Sequence, residues 1–430
     1  MSLKVVTSSE AVSKLRKNDA IGFGLGPGIP DIFLTSLAER EDWDGLTLGG
    51  ALILNYYKVL ENPNVHYRSG FFGPAERIHL GMGHNVELVP GGFRQFGPIL
   101  ERFSPRVFCL QGTPPDRDGK INLSLHYGAT YKEILRAAKD PDRLLIVEAN
   151  ESLPKTHSME PFSNEIDVDI VDLLIETNNP VYELSDSNPS EIDSKIAEIA
   201  TSYINDGATL QTGIGSIPTQ VADLLSKRDG GNYGIHSEMF TTGLMKLHKA
   251  GKVTNTNKGI FDNKSVTTFS LGTRELYNWL DNNDQVAFLP VEKVNDPSII
   301  SQNHDLISIN GALEVDIFGQ VVADFIDEKQ VSGVGGHEDF VSGTETNRGS
   351  HSLICLPSTV ETNGEVKSRI VRSIGTNGIV STPRHHLDIV VTEFGAAEVM
   401  GLTVKERAHV LADIAHPSFR GELHKAADTL

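Results

Sequence analysis

Three short stretches of this 430-residue chain combine residue types that can do chemistry. The first is Gly213-Ile-Gly-Ser-Ile-Pro218, a glycine loop between an apolar run and a helical pattern. Its amide N–H groups and the start of the helix suit an anionic group, either a phosphate or an oxyanion. Proline stands where a dinucleotide fingerprint has its third glycine, so that reading fails, and a tight strand-to-helix turn explains the residues equally well. The second stretch is His236-Ser-Glu-Met, at the end of a short apolar run. A carboxylate there, Glu238, can act as a base or as a nucleophile. The third is Val331-Ser-Gly-Val-Gly-Gly-His-Glu-Asp-Phe340. Gly335 and Gly336 allow a backbone that presents N–H groups to a developing oxyanion, or they form a turn before a helix.

His236, Glu238, His337, Glu338 and Asp339 are all possible metal ligands. None falls in the His-Glu-x-x-His or Cys/His spacing that makes a metal assignment specific, and His385-His386 is an isolated pair. No metal and no prosthetic group is expected.

The elements that must hold these stretches occur twice. Residues 19–37 and 206–225 each read as an apolar strand, a glycine-rich turn, Ile-Pro and a helix. Pro30 and Pro218 suit helix starts, where a missing N–H costs nothing. Gly45-Leu-Thr-Leu-Gly-Gly then matches Gly234-Ile-His-Ser-Glu-Met, 15 residues after the proline in one copy and 16 in the other. On this alignment Glu238 corresponds to Gly49, so only one copy carries the carboxylate. Ser190-Glu-Ile-Asp193 reads as a helix cap with an acid three residues on, after the loop-like Asn178–Pro189. The expected organisation is an N-terminal domain over 1–186 and a C-terminal domain over 187–430 that holds the glutamate. Alternating β-rich and helical runs predict two related open α/β domains, with mostly parallel sheets and helices on both faces. In the second half the β-rich runs include Val266–Leu271, Val286–Leu289, Leu353–Leu356 and Leu387–Thr392, and Asn310–Phe325 reads as an antiparallel excursion turning at Gly319.

The length fits two domains of ordinary size. A net charge of −19, from 38 basic and 57 acidic residues, gives no general attraction to nucleic acid or anionic lipid. Any anionic ligand must be held by local donors. No transmembrane helix or signal peptide is expected. Cys109 and Cys355 lie in apolar runs and read as buried thiols in a reducing, cytoplasmic setting.

Gly213-Ile-Gly-Ser-Ile-Pro followed by Gly234-Ile-His-Ser-Glu-Met resembles the acetyl-CoA hydrolase/transferase family. This is a branch of the family I coenzyme A transferases that includes 4-hydroxybutyrate CoA-transferase. Val294-Asn-Asp-Pro297, Asn310–Gln320, Gly333-Val-Gly-Gly, Ser381-Thr-Pro-Arg, Asp388–Gly395 and Ile414–Arg420 continue the likeness in the family's order. The first half matches more loosely, through Phe71-Phe, Gly112, Asp118-Gly and Ile146–Thr156.

The resemblance implies the coenzyme A transferase fold, of the NagB/RpiA-like kind. It also implies transfer of CoA from an acyl-CoA to a short-chain carboxylic acid such as acetate, butyrate or 4-hydroxybutyrate. The transfer would run through a glutamyl-CoA thioester on Glu238. Amides near Gly335 and Gly336 would stabilise oxyanions beside His337. CoA, as substrate, would meet Gly213, Ile214, Gly215, Ser216, Ile217, Leu313 and Gly336, with Lys367 near its phosphates or simply exposed on a strand. Two alternatives are an acyl-CoA hydrolase using the same glutamate and a non-catalytic acyl-CoA-binding protein. Relatives imply a homodimer or homotetramer. One departure stands out: the family's transferases usually carry glutamine where this chain has His337, and histidine can titrate.

Overall fold

The computed structural model describes residues 4–186, 188–345, 347, 349–376 and 378–430. The chain divides into two compact units: Met1–Leu184 with Thr267–Lys293, and Ser185–Val266 with Val294–Leu430. The sequence reading puts one boundary near Asp186. The chain does pass between units at Leu184–Ser185, but Thr267–Lys293 is grouped with the first unit.

The sheet of the second unit runs Gly234–Ile235, Thr209–Thr212, Leu306–Gly311, His351–Cys355, Ile389–Thr392, Gly395–Glu398. All neighbours are parallel except the last pair, an antiparallel hairpin. The first unit contains the same order of five parallel strands: Leu46–Gly50, Ala20–Phe23, Val107–Gly112, Leu144–Asn150, Leu173–Thr177. Lys4–Val5 extends one edge, and Val65–Ser69 and Val86–Leu88 extend the other. The duplication is thus present in the topology as well as in the sequence.

Central strands such as Val107–Gly112 and Ile389–Thr392 are buried at every position. A strand with no exposed face is covered on both sides, which is why these runs read as continuously apolar rather than alternating. Helix Glu191–Thr201 packs on His351–Cys355 and Ile389–Thr392, and helix His337–Thr344 on Leu306–Gly311 and His351–Cys355. Ser190 caps the first of these, accepting from Asp193 N at 3.1 Å while Asp193 Oδ2 accepts from Ser190 N at 2.9 Å. The capping box expected from sequence is therefore formed.

Two expectations change. The runs expected over Val266–Leu271 and Val286–Leu289 form strands Ser265–Thr267, Phe269–Ser270 and Val286–Phe288, none of which belongs to the six-stranded sheet, and the last lies in the first unit. Short apolar runs show that a strand exists but not which sheet it joins. The copies also align differently. Ala20 pairs with Thr47, and Thr209 at the start of the equivalent strand pairs with Gly234. Counting on from those partners, the counterpart of Glu238 is Ala51 rather than Gly49. The first copy still lacks a carboxylate there. The excursion after Asn310 is antiparallel as read, with Glu314–Asp316 against Val321–Val322 and Gly319 at φ +91°.

Among the described residues, no helix is long and apolar enough to cross a membrane. Cys109 and Cys355 are free thiols, both buried. Burial pushes the Cys355 thiol up to about 12 and the Cys109 thiol well above its usual value.

Candidate active site

Glu238 follows strand Gly234–Ile235, and its neighbours in sequence anchor it. Ser237 Oγ donates to Met239 O at 2.8 Å and lies 3.2 Å from Thr212 O. His236 is fully buried, with Nε2 2.8 Å from Val294 O and Nδ1 3.0 Å from Asn303 Nδ2. An amide nitrogen can only donate, so Nδ1 accepts and Nε2–H donates to Val294 O. Burial lowers the His236 imidazole to about 3, so it is neutral at physiological pH. Its role is positional: it ties the Glu238 strand to the residue just before Asn295.

Asn295 is the partner that matters. Its Nδ2 donates to Glu238 Oε2 at 2.6 Å and lies 3.2 Å from Asp339 Oδ2. Asp296 follows and caps the short helix Pro297–Ile300, accepting from Ser298 N at 2.8 Å. Asn295 is completely buried, and among the described residues its Oδ1 has no partner.

Gly336 closes the cradle. It caps helix His337–Thr344 with φ −91° and ψ 6°. A Cβ there would overlap Glu238 Oε2 and Asn295 Nδ2 and would stand 2.8 Å from Glu238 Cδ. Glycine is required at 336 for space. At Gly335, φ +57° makes the backbone itself the reason. The glutamate carboxylate thus lies against the start of a helix, where the peptide dipoles favour negative charge.

Desolvation dominates the protonation of Glu238. It raises the carboxyl to about 8; the Asn295 hydrogen bond opposes this, and the nearby Asp339 charge adds to it. His337 is buried, which lowers its imidazole to about 4, and its Nε2 has no partner among the described residues. A neutral imidazole can give or take a hydrogen bond, as an amide does. Leaving such an atom unpaired costs about 1–3 kcal/mol, which is a reason to look for a ligand there.

The glycine loop forms a second feature of the same unit. Gly215 has φ +128° and caps helix Ser216–Lys227. Pro218 is the third residue of this helix, whereas Pro30 is the N-cap of helix Asp31–Ser36. In both copies the proline falls where no intrahelical donor is needed. Ile214, Gly215, Ser216 and Ile217, with Asn310, Gly311 and Cys355, line a cavity of about 180 Å³. Thr209–Thr212 has Gly234–Ile235 on one side and Leu306–Gly311 on the other, so the cavity opens at the carboxyl ends of strands where the winding direction reverses. Open α/β sheets bind ligands at that point. Asn310 Nδ2 donates to Ser308 Oγ at 2.8 Å, and Ser308 Oγ donates to Gln211 Oε1 at 2.7 Å. Leu313 begins the following hairpin, its N–H donating to Val322 O at 2.8 Å. Lys367 lies on the exposed hairpin Thr359–Thr362/Glu365–Ser368 and does not line this cavity. Among the described residues, no group of three or more His, Cys, Asp or Glu is arranged to hold a metal ion.

Sequence reasoning singled out Glu238, Gly336, His337 and the Gly213 loop, but missed Asn295 and Asp339 as partners. Asn295 lies within the quoted Val294-Asn-Asp-Pro297 stretch, and Asp339 within the glycine-rich stretch. The signal for both was present as a motif, without an indication of what they touch.

The acetyl-CoA hydrolase/transferase C-terminal domain matches residues 272–427. The 4-hydroxybutyrate coenzyme A transferase of Clostridium kluyveri is 35% identical over 98% of this chain and 96% of its own length. The probable butyrate:acetyl-CoA coenzyme A-transferase of Syntrophomonas wolfei is 31% identical over 99% of this chain and 95% of its own. Among solved structures, RipA from Yersinia pestis superimposes with a TM-score of 0.89 at 31% identity, covering 99% of this chain and 97% of that one. The chain belongs to the acetyl-CoA hydrolase/transferase family and is an enzyme of the coenzyme A transferase class.

Proposed function

We propose that this enzyme moves CoA between an acyl-CoA and a short-chain carboxylate, with Glu238 as the covalent carrier. The observation that carries this reading is the Glu238 carboxylate held by Asn295 against Gly336 at a helix start. A desolvated carboxylate is a stronger nucleophile than a hydrated one, and the cradle leaves few orientations open to it.

The steps balance without another reactant. A Glu238 oxygen attacks the thioester carbonyl, the C–S bond breaks, and CoA leaves as thiolate from a mixed anhydride. The thiolate attacks Glu238 Cδ, the carboxylate of the first acid departs, and a glutamyl-CoA thioester remains. A second carboxylate reverses the sequence. Covalent capture divides one difficult exchange into easier steps. In the carrier steps the oxyanion forms on Glu238 itself. The closeness of Glu238 to Gly336 at the start of helix His337–Thr344 supports the first amides of that helix as its donors, and one such donor is typically worth roughly 10²–10³ in rate. His337, neutral and with Nε2 unpaired among the described residues, supplies the hydrogen bond for which the family usually uses glutamine. The loop Gly213–Ile217 receives part of CoA, with the Ser216 and Ile217 amides as first-turn donors. Lys367, on a hairpin that does not line the glycine-loop cavity, is an outlying cation for its phosphates. Acetate, butyrate and 4-hydroxybutyrate are the acids to try first, given the names of the relatives. Both thiols are free, which supports a reducing, cytoplasmic setting, and the relatives support a homodimer or homotetramer.

The test is incubation with acyl-CoA followed by borohydride and peptide mass analysis. Reduction at Glu238 is expected. An unmodified Glu238 in enzyme that still turns over rules out the carrier. CoA release that proceeds equally fast without an acceptor acid makes the enzyme a hydrolase instead.

A further inference from the structure

A cavity of about 330 Å³ lies wholly within the first unit, whereas Glu238 and its partners belong to the second. Its origin is legible in the sheet. Strand Val65–Ser69 alternates, with Val65, Tyr67 and Ser69 buried and His66 and Arg68 on the other face. Register places Gly49 beside Arg68 and Gly22 beside Gly49. That face therefore offers bare backbone where a sheet normally carries side chains. Helix Phe96–Phe103 fills only part of the space. A Cβ on Gly49 would strike the Phe103 ring, and one on Gly70 would strike the Phe96 ring. Ile99 and Leu100 of the same helix complete an apolar wall.

The charged residues lining the cavity are Arg68 and Arg102. Among the described residues, neither guanidinium has a hydrogen bond or an ion pair, although Glu87 is the cross-strand neighbour of Arg68. Elsewhere in this acidic chain arginines find carboxylates: Arg40 with Asp42, Arg106 with Asp19, Arg143 with Glu133, Arg274 with Glu183. Both side chains are exposed, so they form a cationic rim on an apolar cavity, which suits an anion that also has a hydrocarbon part.

We propose that this cavity binds a medium-chain monocarboxylate, with its alkyl chain along Phe96, Ile99, Leu100 and Phe103 and its carboxylate on Arg68 and Arg102. The planar guanidinium matches a carboxylate through two parallel hydrogen bonds. The volume is at the lower end of the roughly 300–1,000 Å³ typical of ligand pockets, which is small for a coenzyme and ample for a fatty acid. A bare phosphate would leave the apolar wall wet, and an alkane would leave the arginines unanswered. Glu238 and its cradle belong to the second unit, so this site stands or falls independently of the carrier chemistry.

The test uses the whole protein. Crystals soaked in 8-bromooctanoate should give a bromine anomalous peak beside Phe96, Ile99 or Phe103, and Glu238→Gln should leave that peak in place. Calorimetric titration with octanoate should show at least a tenfold loss of affinity in the Arg68→Ala/Arg102→Ala double variant. Leu100→Trp, which fills the cavity, should show a comparable loss. Inorganic phosphate should not displace octanoate. A bromine peak only elsewhere, no peak, undiminished octanoate binding by the double arginine variant, or displacement by phosphate overturns the proposal.

Discussion

Replacing Gly336 by alanine tests the active-site argument most sharply. The backbone at 336, φ −91° and ψ 6°, is open to alanine, so the variant carries no left-handed strain. What it adds is one methyl group, 2.8 Å from Glu238 Cδ and closer still to Oε2 and to Asn295 Nδ2. Ordinary contact begins near 3.4 Å, so the carboxyl carbon must retreat by roughly 0.6 Å and the oxygen by more. A shift of about 1 Å in a reacting group can cost 10²-fold in rate, equivalent to about 2.7 kcal/mol of barrier. The expectation for Gly336→Ala is therefore a loss of kcat by ~10² or more in acyl-CoA:acetate transfer. Borohydride labelling at Glu238 should fall in parallel. The melting temperature should stay close to that of the parent, which shows that the fold survives. A variant with parental kcat and parental labelling would refute the claim that the carboxylate must occupy the space beside Gly336.

Three other outcomes follow from the same geometry. Because burial holds the free-enzyme Glu238 carboxyl at about 8, only about a tenth is ionised at pH 7. The value of kcat/KM should climb roughly tenfold per pH unit below that point and level off above it; a pH profile flat from 6 to 9 contradicts this. Asn295→Ala removes the hydrogen bond that favours the carboxylate, so the same inflection should move upward and kcat/KM at pH 7 should fall by roughly 10-fold or more. An unchanged profile would show that Asn295 does not act on Glu238. Both cysteines are buried and their thiols are pushed up by burial, so a disulfide thiol reagent should label neither until the protein is denatured. Rapid labelling of the native enzyme would contradict their placement.

Some of this was legible in the residues alone. The duplication shows because a strand, a glycine turn, a proline and a helix recur at nearly equal spacing. Strong local patterns of this kind depend only on backbone preference and helical period. The Ser190–Asp193 cap is local too, spanning three residues, and its hydrogen bonds form as expected. Glu238 stood out because one copy has a carboxylate that the other lacks. In the strand register its counterpart is Ala51 rather than Gly49, and that position also lacks a carboxylate.

What the sequence could not determine is what depends on distance through space. Asn295 is 57 residues from Glu238, and only the folded chain brings its Nδ2 within 2.6 Å of the carboxylate. Composition gives no sign that Gly336 is needed for room and Gly335 for its φ; the positions of Glu238 and Asn295 make that distinction. The titration of Glu238 and His337 is likewise decided by burial, which the tertiary fold imposes on side chains whose intrinsic values are ordinary. Thr267–Lys293 went to the first unit for a similar reason: its apolar runs specify strands, while the choice of neighbours is made by packing across the whole chain. The sequence by itself determined a two-fold α/β chain with a singular glutamate. The tertiary structure decided how that glutamate is held, with Asn295 on its carboxylate and burial raising its carboxyl.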